Sequence, residues 1–289
     1  MRTIVTLALA FATSILSAQA QPEKWTPPRT PDGHPDMQGA WARRGVGIAE
    51  ANAPKLPLAE FTSTGQPYPT IFNSGVVTAL DRAALASRAT GVVDPPDRNL
   101  PWRPEADAAR REFVTHTVPP ASLKYVEPYA RCVLPGPLEG DDRSPFQILQ
   151  RPGSFVLNYE YNHVTRVIYT DGRPHLGKAI RLFMGDSIGR WEGDTLVVDT
   201  TNFNDKTALS RAIPFHSEEL HTTERFSMPS PNVIDYQLTL EDPKLFTRPI
   251  KIAGYFTAAQ QGTEPMEFAC AEGSQTLPNI FGLEFAPTR

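Results

Sequence analysis

The sequence lacks several features that would assign it to a familiar functional class. Its 28 Lys and Arg residues form no cluster and the formal net charge is −4, which argues against nucleic acid or an anionic membrane surface as a partner. It contains no phosphate-binding loop, no dinucleotide fingerprint and no cofactor-binding lysine motif. Beyond the N-terminus, no apolar run approaches the roughly 20 residues that a membrane-spanning helix needs. The sequence therefore predicts neither nucleic-acid binding nor membrane insertion.

Histidine is scarce, and its six copies include no H-x-H or HExxH pattern. The two cysteines likewise show no Cys/His spacing typical of a metal site. We therefore expect neither a metal nor another cofactor, and a metal-dependent enzyme remains an alternative. The side chains that could supply its nitrogen and oxygen ligands are His163, His175, His216, His221, Glu218 and Asp199.

The N-terminus has the pattern of a secretory signal peptide. An apolar run over 4–16 follows a basic residue, and Ala18-Gln19-Ala20 matches a small-residue cleavage site. We expect residues 1–20 to be removed and the mature protein to be periplasmic or secreted. In an oxidising compartment Cys132 and Cys270 would form one disulfide, with a free catalytic thiol as the alternative.

Proline and turn chemistry dominate the first part of the mature chain. Over 21–145 the sequence predicts a Pro-rich N-terminal arm, because proline removes backbone donors and interrupts regular elements. Two short helices fit within the arm, a weak one at 78–88 and a clearer one that begins near Pro104 and ends near 114. The remaining residues, 146–289, are predicted to form a separate β-domain.

From 146 onward apolar and polar residues alternate with period two, which is typical of half-buried strands. Asp171-Gly172 and Glu192-Gly193-Asp194 mark tight turns between them. About eight to ten antiparallel strands remove their edges most easily by closing into an up-and-down, lipocalin-like β-barrel that holds a small ligand. An open β-sandwich is the alternative. The clearest predicted strands are 155–161, 164–170, 196–203, 220–226, 233–240, 250–257 and 266–270.

One block of the sequence resembles a known group of proteins. The segment GRWEGDTLVVDT at 189–200 is similar to a large family of exported bacterial proteins, and so are the shorter segments 171–175, 216–218, 224–226 and 241–243. The resemblance spans about 32–280 and implies no particular activity. The pattern Trp-x-Gly-Asp-x-Leu within the block also resembles strand starts of lipocalin-like barrels, which implies architecture alone.

Two regions supply candidate catalytic residues. His216 lies two positions before Glu218, so a strand through both would place them on one face, with His216 as acid/base and Glu218 as its orienting group. Alternatively, both belong to a solvated entrance loop. His175 would be a second proton donor, and Arg173 and Arg225 would stabilise developing negative charge. An equally simple alternative is that Arg173 only rigidifies its own loop.

Further side chains are predicted to contact a ligand. Arg166 shares strand parity with apolar neighbours, so it would face the barrel interior and need an acidic partner among Glu160, Asp199 and Glu224. Such a pair could specify the structure or position a polar substrate. The predicted substrate-binding residues are Arg166, Tyr159, Trp191, Asp199 and His163.

Together these features predict an exported, cofactor-independent enzyme, acting as a monomer or small homo-oligomer. It would perform acid/base chemistry of lyase, isomerase or cyclase type on a small apolar or aromatic molecule in a barrel pocket. The alternatives are a non-catalytic binding protein for an apolar molecule and a structural role in which the charged motifs brace loops. Convergence of the histidines and an arginine around a cavity would favour the enzyme.

Overall fold

A single ten-stranded sheet makes up most of the structure, a computed structural model that describes residues 25–44, 78–86, 88–117, 120–126, 128–134, 136, 145–210, 213–268 and 270. The predicted signal peptide lies outside these residues. The strands are β1 (Gly39–Arg44), β2 (Gly91–Asp94), β3 (Phe146–Arg151), β4 (Ser154–Tyr159), β5 (Thr165–Tyr169), β6 (Asp186–Glu192), β7 (Thr195–Thr201), β8 (His221–Ser230), β9 (Val233–Glu241) and β10 (Ile250–Ala258). The α-helices are α1 (Ala79–Leu85) and α2 (Pro104–Thr115), and short 3-10 turns occupy Leu123–Tyr125, Pro128–Arg131 and Tyr161–His163.

The sheet closes into a barrel because β1 pairs with both β3 and β10. Nine strands form the closed wall, and β2 pairs with the remaining free edge of β10. This confirms the prediction of a mainly β fold with an antiparallel barrel and a few short helices. One pair differs, since β5 and β6 run parallel. A parallel pair needs a crossover connection, which residues 170–185 provide outside the barrel.

The predicted Pro-rich arm contributes to the barrel wall, since β1 and β2 both lie within 21–145. The boundary at 145/146 therefore does not separate the arm from the sheet. Both predicted helices are present: α1 starts at a capping box formed by Thr78 and Asp81, and α2 starts at Pro104, where the missing N–H is not needed. In the described part of the chain, no helix is both long and apolar enough to cross a membrane.

The apolar residues of the alternating sequence pattern face the inside of the barrel, and the polar residues between them face the outside. Along β9, Tyr236 and Leu238 are buried while Gln237 between them is exposed. At the β6–β7 hairpin, Gly193 adopts φ +60° at the first position of a two-residue turn, which matches the turn predicted there.

Aromatic side chains fill the barrel interior. Tyr236 lies between Phe226 and Phe256, with ring centroids 5.1 and 5.2 Å apart, and Phe155 and Phe146 extend the cluster. All five are at most 2% exposed. Burying each such ring contributes about 1.5–3 kcal/mol. The predicted ligand pocket would have to share this space, which side chains already occupy.

After β10 the chain leaves the sheet. The predicted strand at 266–270 is wrong, since 263–268 carry no strand and Met266 is 74% exposed. Its backbone N–H instead donates to Glu160 Oε2 at 2.8 Å. The predicted disulfide between Cys132 and Cys270 is confirmed, and it ties this last segment to the turn at Pro128–Arg131.

Candidate functional site

Two histidines and three carboxylates form a continuous row of contacts on the outside of the barrel. His175 Nδ1 lies 2.8 Å from Asp186 Oδ2, and His175 Nε2 lies 2.8 Å from Asp199 Oδ1. The other oxygen of Asp199 lies 2.6 Å from His221 Nε2, and His221 Nδ1 lies 2.6 Å from Glu241 Oε2. We name these five residues, Asp186, His175, Asp199, His221 and Glu241, the outer-face histidine chain.

Strand geometry places four of the five side chains. Thr200 is fully buried and hydrogen-bonded inside the barrel, so its neighbour Asp199 on β7 points outward. His221 is the first residue of β8 and lies directly opposite Glu241, the last residue of β9. Directly opposed side chains on one face of a sheet are close enough to pair. The carboxylate–imidazole contacts therefore follow from the register of β7, β8 and β9.

His175 comes from the crossover rather than from the sheet. The crossover returns along the outer face before β6, and the backbone N–H of Leu176 donates to Asp186 Oδ2 at 2.9 Å. At its end Gly185 adopts φ +69°, and a Cβ there would lie 2.7 Å from the Thr201 carbonyl oxygen. Glycine is therefore required where the chain turns into β6, and this turn sets the position of the crossover against the sheet.

The electrostatics of the row favour a charged histidine. The hydrogen bond to Asp199 raises the pKa of His221 to about 9, against the opposing effect of burial and with help from Glu241. The hydrogen bond from His221 in turn lowers the pKa of Asp199. At neutral pH His221 is therefore an imidazolium that donates from both ring nitrogens. His175 also has carboxylate oxygens at both nitrogens, so both contacts are hydrogen bonds only when the ring carries two protons or one carboxyl group is protonated.

The structure does not bring His216 and Glu218 together as predicted. The prediction needed a strand through both residues, but β8 begins only at His221. The preceding residues form a turn, in which the Leu220 N–H donates to the Ser217 carbonyl oxygen at 3.2 Å. Glu218 is exposed, with its carboxylate 3.9 Å from the Arg181 guanidinium. Because the residues lie on a turn, their two-residue spacing no longer places them on one face.

His216 is instead a buried histidine with protein partners at both nitrogens. Its Nδ1 lies 3.0 Å from the Ser217 carbonyl oxygen, and its Nε2 lies 2.6 Å from Thr207 Oγ1. A carbonyl oxygen only accepts, so Nδ1 carries the proton and Nε2 accepts from the threonine hydroxyl. Burial lowers the pKa of His216, which agrees with a neutral ring. Its position is that of a packing residue beside Phe203.

Arg166 faces the interior, as its strand parity predicted, and Glu224 is its acidic partner. Arg166 Nη1 donates to Glu224 Oε1 at 2.9 Å, and Nη2 also contacts the second carboxylate oxygen. Ser187 accepts from Nε at 3.0 Å, Thr200 also accepts from Nη2 at 2.8 Å, and Tyr236 donates to Glu224 at 2.9 Å. Each of the three guanidinium nitrogens of Arg166 thus already contacts a side-chain oxygen, so the pair braces the interior of the barrel.

The other predicted ligand-binding side chains are dispersed. Tyr159 is buried against Phe146 inside the barrel. Trp191 stacks on His34 with ring centroids 4.5 Å apart, and His163 is exposed in the turn between β4 and β5. Of the five residues predicted to bind substrate, Asp199 alone belongs to the outer-face histidine chain.

The two predicted arginines also have separate positions. Arg173 pairs with Asp171 and lies 3.7 Å from the centre of the Tyr169 ring, so it rigidifies its loop. Arg225 points outward from β8 and lies 3.0 Å from Glu192. It shares the outer face with His221, four residues earlier on the same strand.

Of the outer-face histidine chain, His175 and Asp199 were among the predicted catalytic and substrate-binding residues. His221 was predicted only as a possible metal ligand, and neither Asp186 nor Glu241 was predicted as a site residue. The available signal was that His221 lies at the second position of one predicted strand and Glu241 directly follows the end of the next, since a hairpin pairs such positions. Among the described residues, no three His, Cys, Asp or Glu side chains are grouped so as to hold a metal ion.

The crossover that carries His175 also carries several exposed apolar side chains. Large apolar residues are normally more deeply covered than these, so a group of them on one segment is notable. The exposed members are Leu176 (43%), Ile180 (47%), Leu182 (38%) and Phe183 (50%).

Comparison with known proteins adds little to this geometry. No family model matches the chain, and no curated protein matches it. Among solved structures, the chain is similar to a secretary abundant heat soluble (SAHS) protein from Ramazzottius varieornatus, at 8% identity and a TM-score of 0.27 over 46% of this chain and 87% of that chain. That similarity carries no argument, so the class of closed, mainly antiparallel β-barrel rests on the strand pairing itself. The resemblance of 189–200 to an exported bacterial family stays a prediction.

Proposed function

We propose that the protein is an acid–base catalyst whose site is the outer-face histidine chain. The observation that carries the proposal is the alternation of carboxylate and imidazole from Asp186 to Glu241, with both nitrogens of both rings within 2.8 Å of a carboxylate oxygen. Such an alternation lets a proton pass between neighbours without movement of heavy atoms. The proposed reaction class is still the one predicted from sequence, that of a lyase, isomerase or cyclase. The proposed site, however, lies on the outer face of the barrel and not in its interior.

Each member of the chain has a distinct role in this proposal. His175, carried by the crossover, exchanges one carboxylate contact for the substrate and takes up its proton. His221, which is charged at neutral pH, gives up its contact with Glu241 and donates from Nδ1 to the substrate oxygen on which negative charge develops. Asp199 binds one ring through each carboxylate oxygen, so it fixes both histidines relative to each other.

The surroundings of His175 support a small apolar or aromatic substrate. Phe183 and Ile180 on the same crossover are about half exposed, and they would cover an apolar molecule placed against the histidine chain. The disulfide supports an exported protein, since such bonds persist in oxidising compartments. No cofactor is part of the proposal.

The test measures exchange of a substrate C–H proton with solvent. Removal of such a proton is the step that the proposed lyase and isomerase reactions share. The wild-type protein is incubated in D2O with a panel of small aryl ketones that carry one exchangeable C–H bond beside the carbonyl, and loss of that proton is followed by NMR. We expect exchange at least about 100-fold above buffer for some member of the panel. His175→Gln and His221→Gln should both abolish it.

The matched control is His163→Gln, which removes an exposed histidine that is not part of the outer-face histidine chain, and it should leave exchange unchanged. The proposal would be contradicted if no ketone of the panel underwent exchange, or if exchange persisted in both His175→Gln and His221→Gln. Binding of the ketones without exchange would favour the second candidate, a binding protein, which the exposed apolar side chains of the crossover also fit.

A further inference from the structure

A groove of about 430 Å³ lies on the outer face of β8, β9 and β10. Its floor is made by outward side chains, Thr223 and Arg225 from β8, Gln237 from β9 and Lys251 from β10. One wall is made by Arg88 and Ala89, which precede β2, and by Val93 on β2. The groove is therefore built from regular strands and does not depend on the crossover.

Basic side chains outnumber acidic ones in the lining of the groove. Arg225, Lys251 and Arg88 line the groove, and Asp235 is the acidic residue among its lining side chains. Asp235 is already contacted by the Arg88 guanidinium, so its negative charge is compensated on the spot. Lys251 is exposed and forms no ion pair with the described residues. Arg225 already lies 3.0 Å from the Glu192 carboxylate. The positive charge left over for an incoming anion is therefore that of Lys251.

Strand register makes the groove continuous with the outer-face histidine chain. Asp199 pairs with Thr223, Thr223 pairs with Thr239, and Thr239 pairs with Lys251, so the four residues form one row across four strands. At a strand spacing of about 4.8 Å the row spans roughly 14 Å. Along β8, the four-residue step from His221 to Arg225 covers about 13 Å. A small molecule can thus reach from the groove to the histidines.

We infer that the groove binds the carboxylate of the substrate on which the outer-face histidine chain acts. Lys251 supplies a charge-assisted hydrogen bond from its ammonium group, and Arg225 supplies a second from the guanidinium N–H groups that its contact with Glu192 leaves over. Thr223 and Gln237 add neutral donors between the two cations. The substrate is then an aryl carboxylate about 10–14 Å long, with its reacting end at His175 and His221. The identification of the anion as substrate rests on the proposed function, whereas its binding does not.

The test uses 3-phenylpropanoate and its neutral amide as probes of the full chain, with affinity measured by calorimetry or ligand-observed NMR. We expect wild type to bind the carboxylate at least about tenfold more tightly than the amide. Arg225→Gln and Lys251→Gln should each remove most of that preference. The matched control is Arg190→Gln, because Arg190 also pairs with Glu192 but lies outside the groove. It should keep the preference within about twofold, which lies inside the scatter expected of exposed pairs.

Equal affinity for the carboxylate and the amide would overturn the inference, and so would a preference that survives both groove substitutions. His221→Gln separates this inference from the proposed function. Carboxylate binding that persists in His221→Gln supports the groove even if no ketone undergoes exchange. A different outcome is that neutral and carboxylated ketones exchange equally well and that 3-phenylpropanoate binds no more tightly than its amide. That outcome refutes carboxylate binding in the groove and leaves the acid–base proposal standing.

Discussion

His221 Nε2 on β8 lies 2.6 Å from Asp199 Oδ2 on β7, and this hydrogen bond links the two halves of the row of ionisable groups outside the barrel. Without it, Asp186, His175 and Asp199 would form one group and His221 with Glu241 a separate pair. Asp199 is only a third exposed, so water does not fully screen the contact. The properties of this pair are therefore the most direct check on the site.

The titration of His221 is the first prediction. Because Asp199 raises the pKa of His221 to about 9, its imidazole resonances in NMR should titrate near that value rather than near 6.5. Asp199→Asn removes the largest cause of the increase, so the midpoint should fall by at least about one unit. Asp97→Asn, which removes an exposed carboxylate next to Asn99, should leave it unchanged. A wild-type midpoint near 6.5 would show that the contact does not persist in solution.

The second prediction concerns stability against pH. The folded pKa of His221 lies above its ordinary value of 6.5, so its contribution to stability is fully present below about pH 6.5 and is lost as the pH rises towards 9. Between about pH 6 and pH 9.5, wild type should lose about 1–2 kcal/mol more unfolding free energy than His221→Gln, allowing for partial solvent screening. Urea denaturation at both pH values measures this, and parallel losses in the two proteins would contradict it.

The buried pair of Arg166 and Glu224 leads to the third prediction. Both side chains are at most 2% exposed, so Glu224→Gln leaves an unpaired guanidinium inside the barrel and should cost about 3–5 kcal/mol. Glu192→Gln is the matched control, since Glu192 is likewise a glutamate paired with arginine, in its case with two arginines at the surface. It should change stability by less than about 1 kcal/mol. Similar losses in the two variants would show that the interior pair is solvated.

The disulfide provides the fourth prediction. Cys132 and Cys270 are separated by 138 residues, and opening so long a loop should cost about 5 kcal/mol on the chain-entropy account. The double substitution to serine should lower the urea midpoint, and reduction of wild type should lower it equally. A loss below about 1 kcal/mol would mean that the unfolded chain is barely restricted by the bond.

The barrel was predictable because its determinants are local. In β9, Ile234, Tyr236 and Leu238 alternate with polar residues, so one face must be buried whatever the strand pairs with. The turn at Gly193 and the start of α2 at Pro104 were equally readable, since each depends on the conformational preference of a single residue. The strand β1 was missed because Gly39–Arg44 lies in a proline-rich context and gains its partners only from β3 and β10.

The site was harder to predict because it depends on register and on one crossover. His216 looked suitable by spacing, yet a turn before β8 buries it beside Thr207, and turns do not preserve the alternation on which the prediction relied. His221 and Glu241 stand 20 positions apart and meet only because β8 and β9 are in register. His175 reaches Asp199 only because the parallel pairing of β5 and β6 sends the crossover over the outer face.

By itself, then, the sequence determined a mainly β, mostly antiparallel fold with short helices, for which it favoured a barrel over an open sandwich, and it supplied the pair of cysteines that could join. Hydrophobic alternation and turn residues are sufficient for that, since they act over a few positions. Closure was decided by the tertiary structure, because it needs β1 to pair with β3 and β10. The tertiary structure alone decided that the interior is filled by aromatic rings and the Arg166–Glu224 pair, and that the histidines meet outside. Those outcomes depend on which strands become neighbours, and on side chains from distant positions competing for the same space.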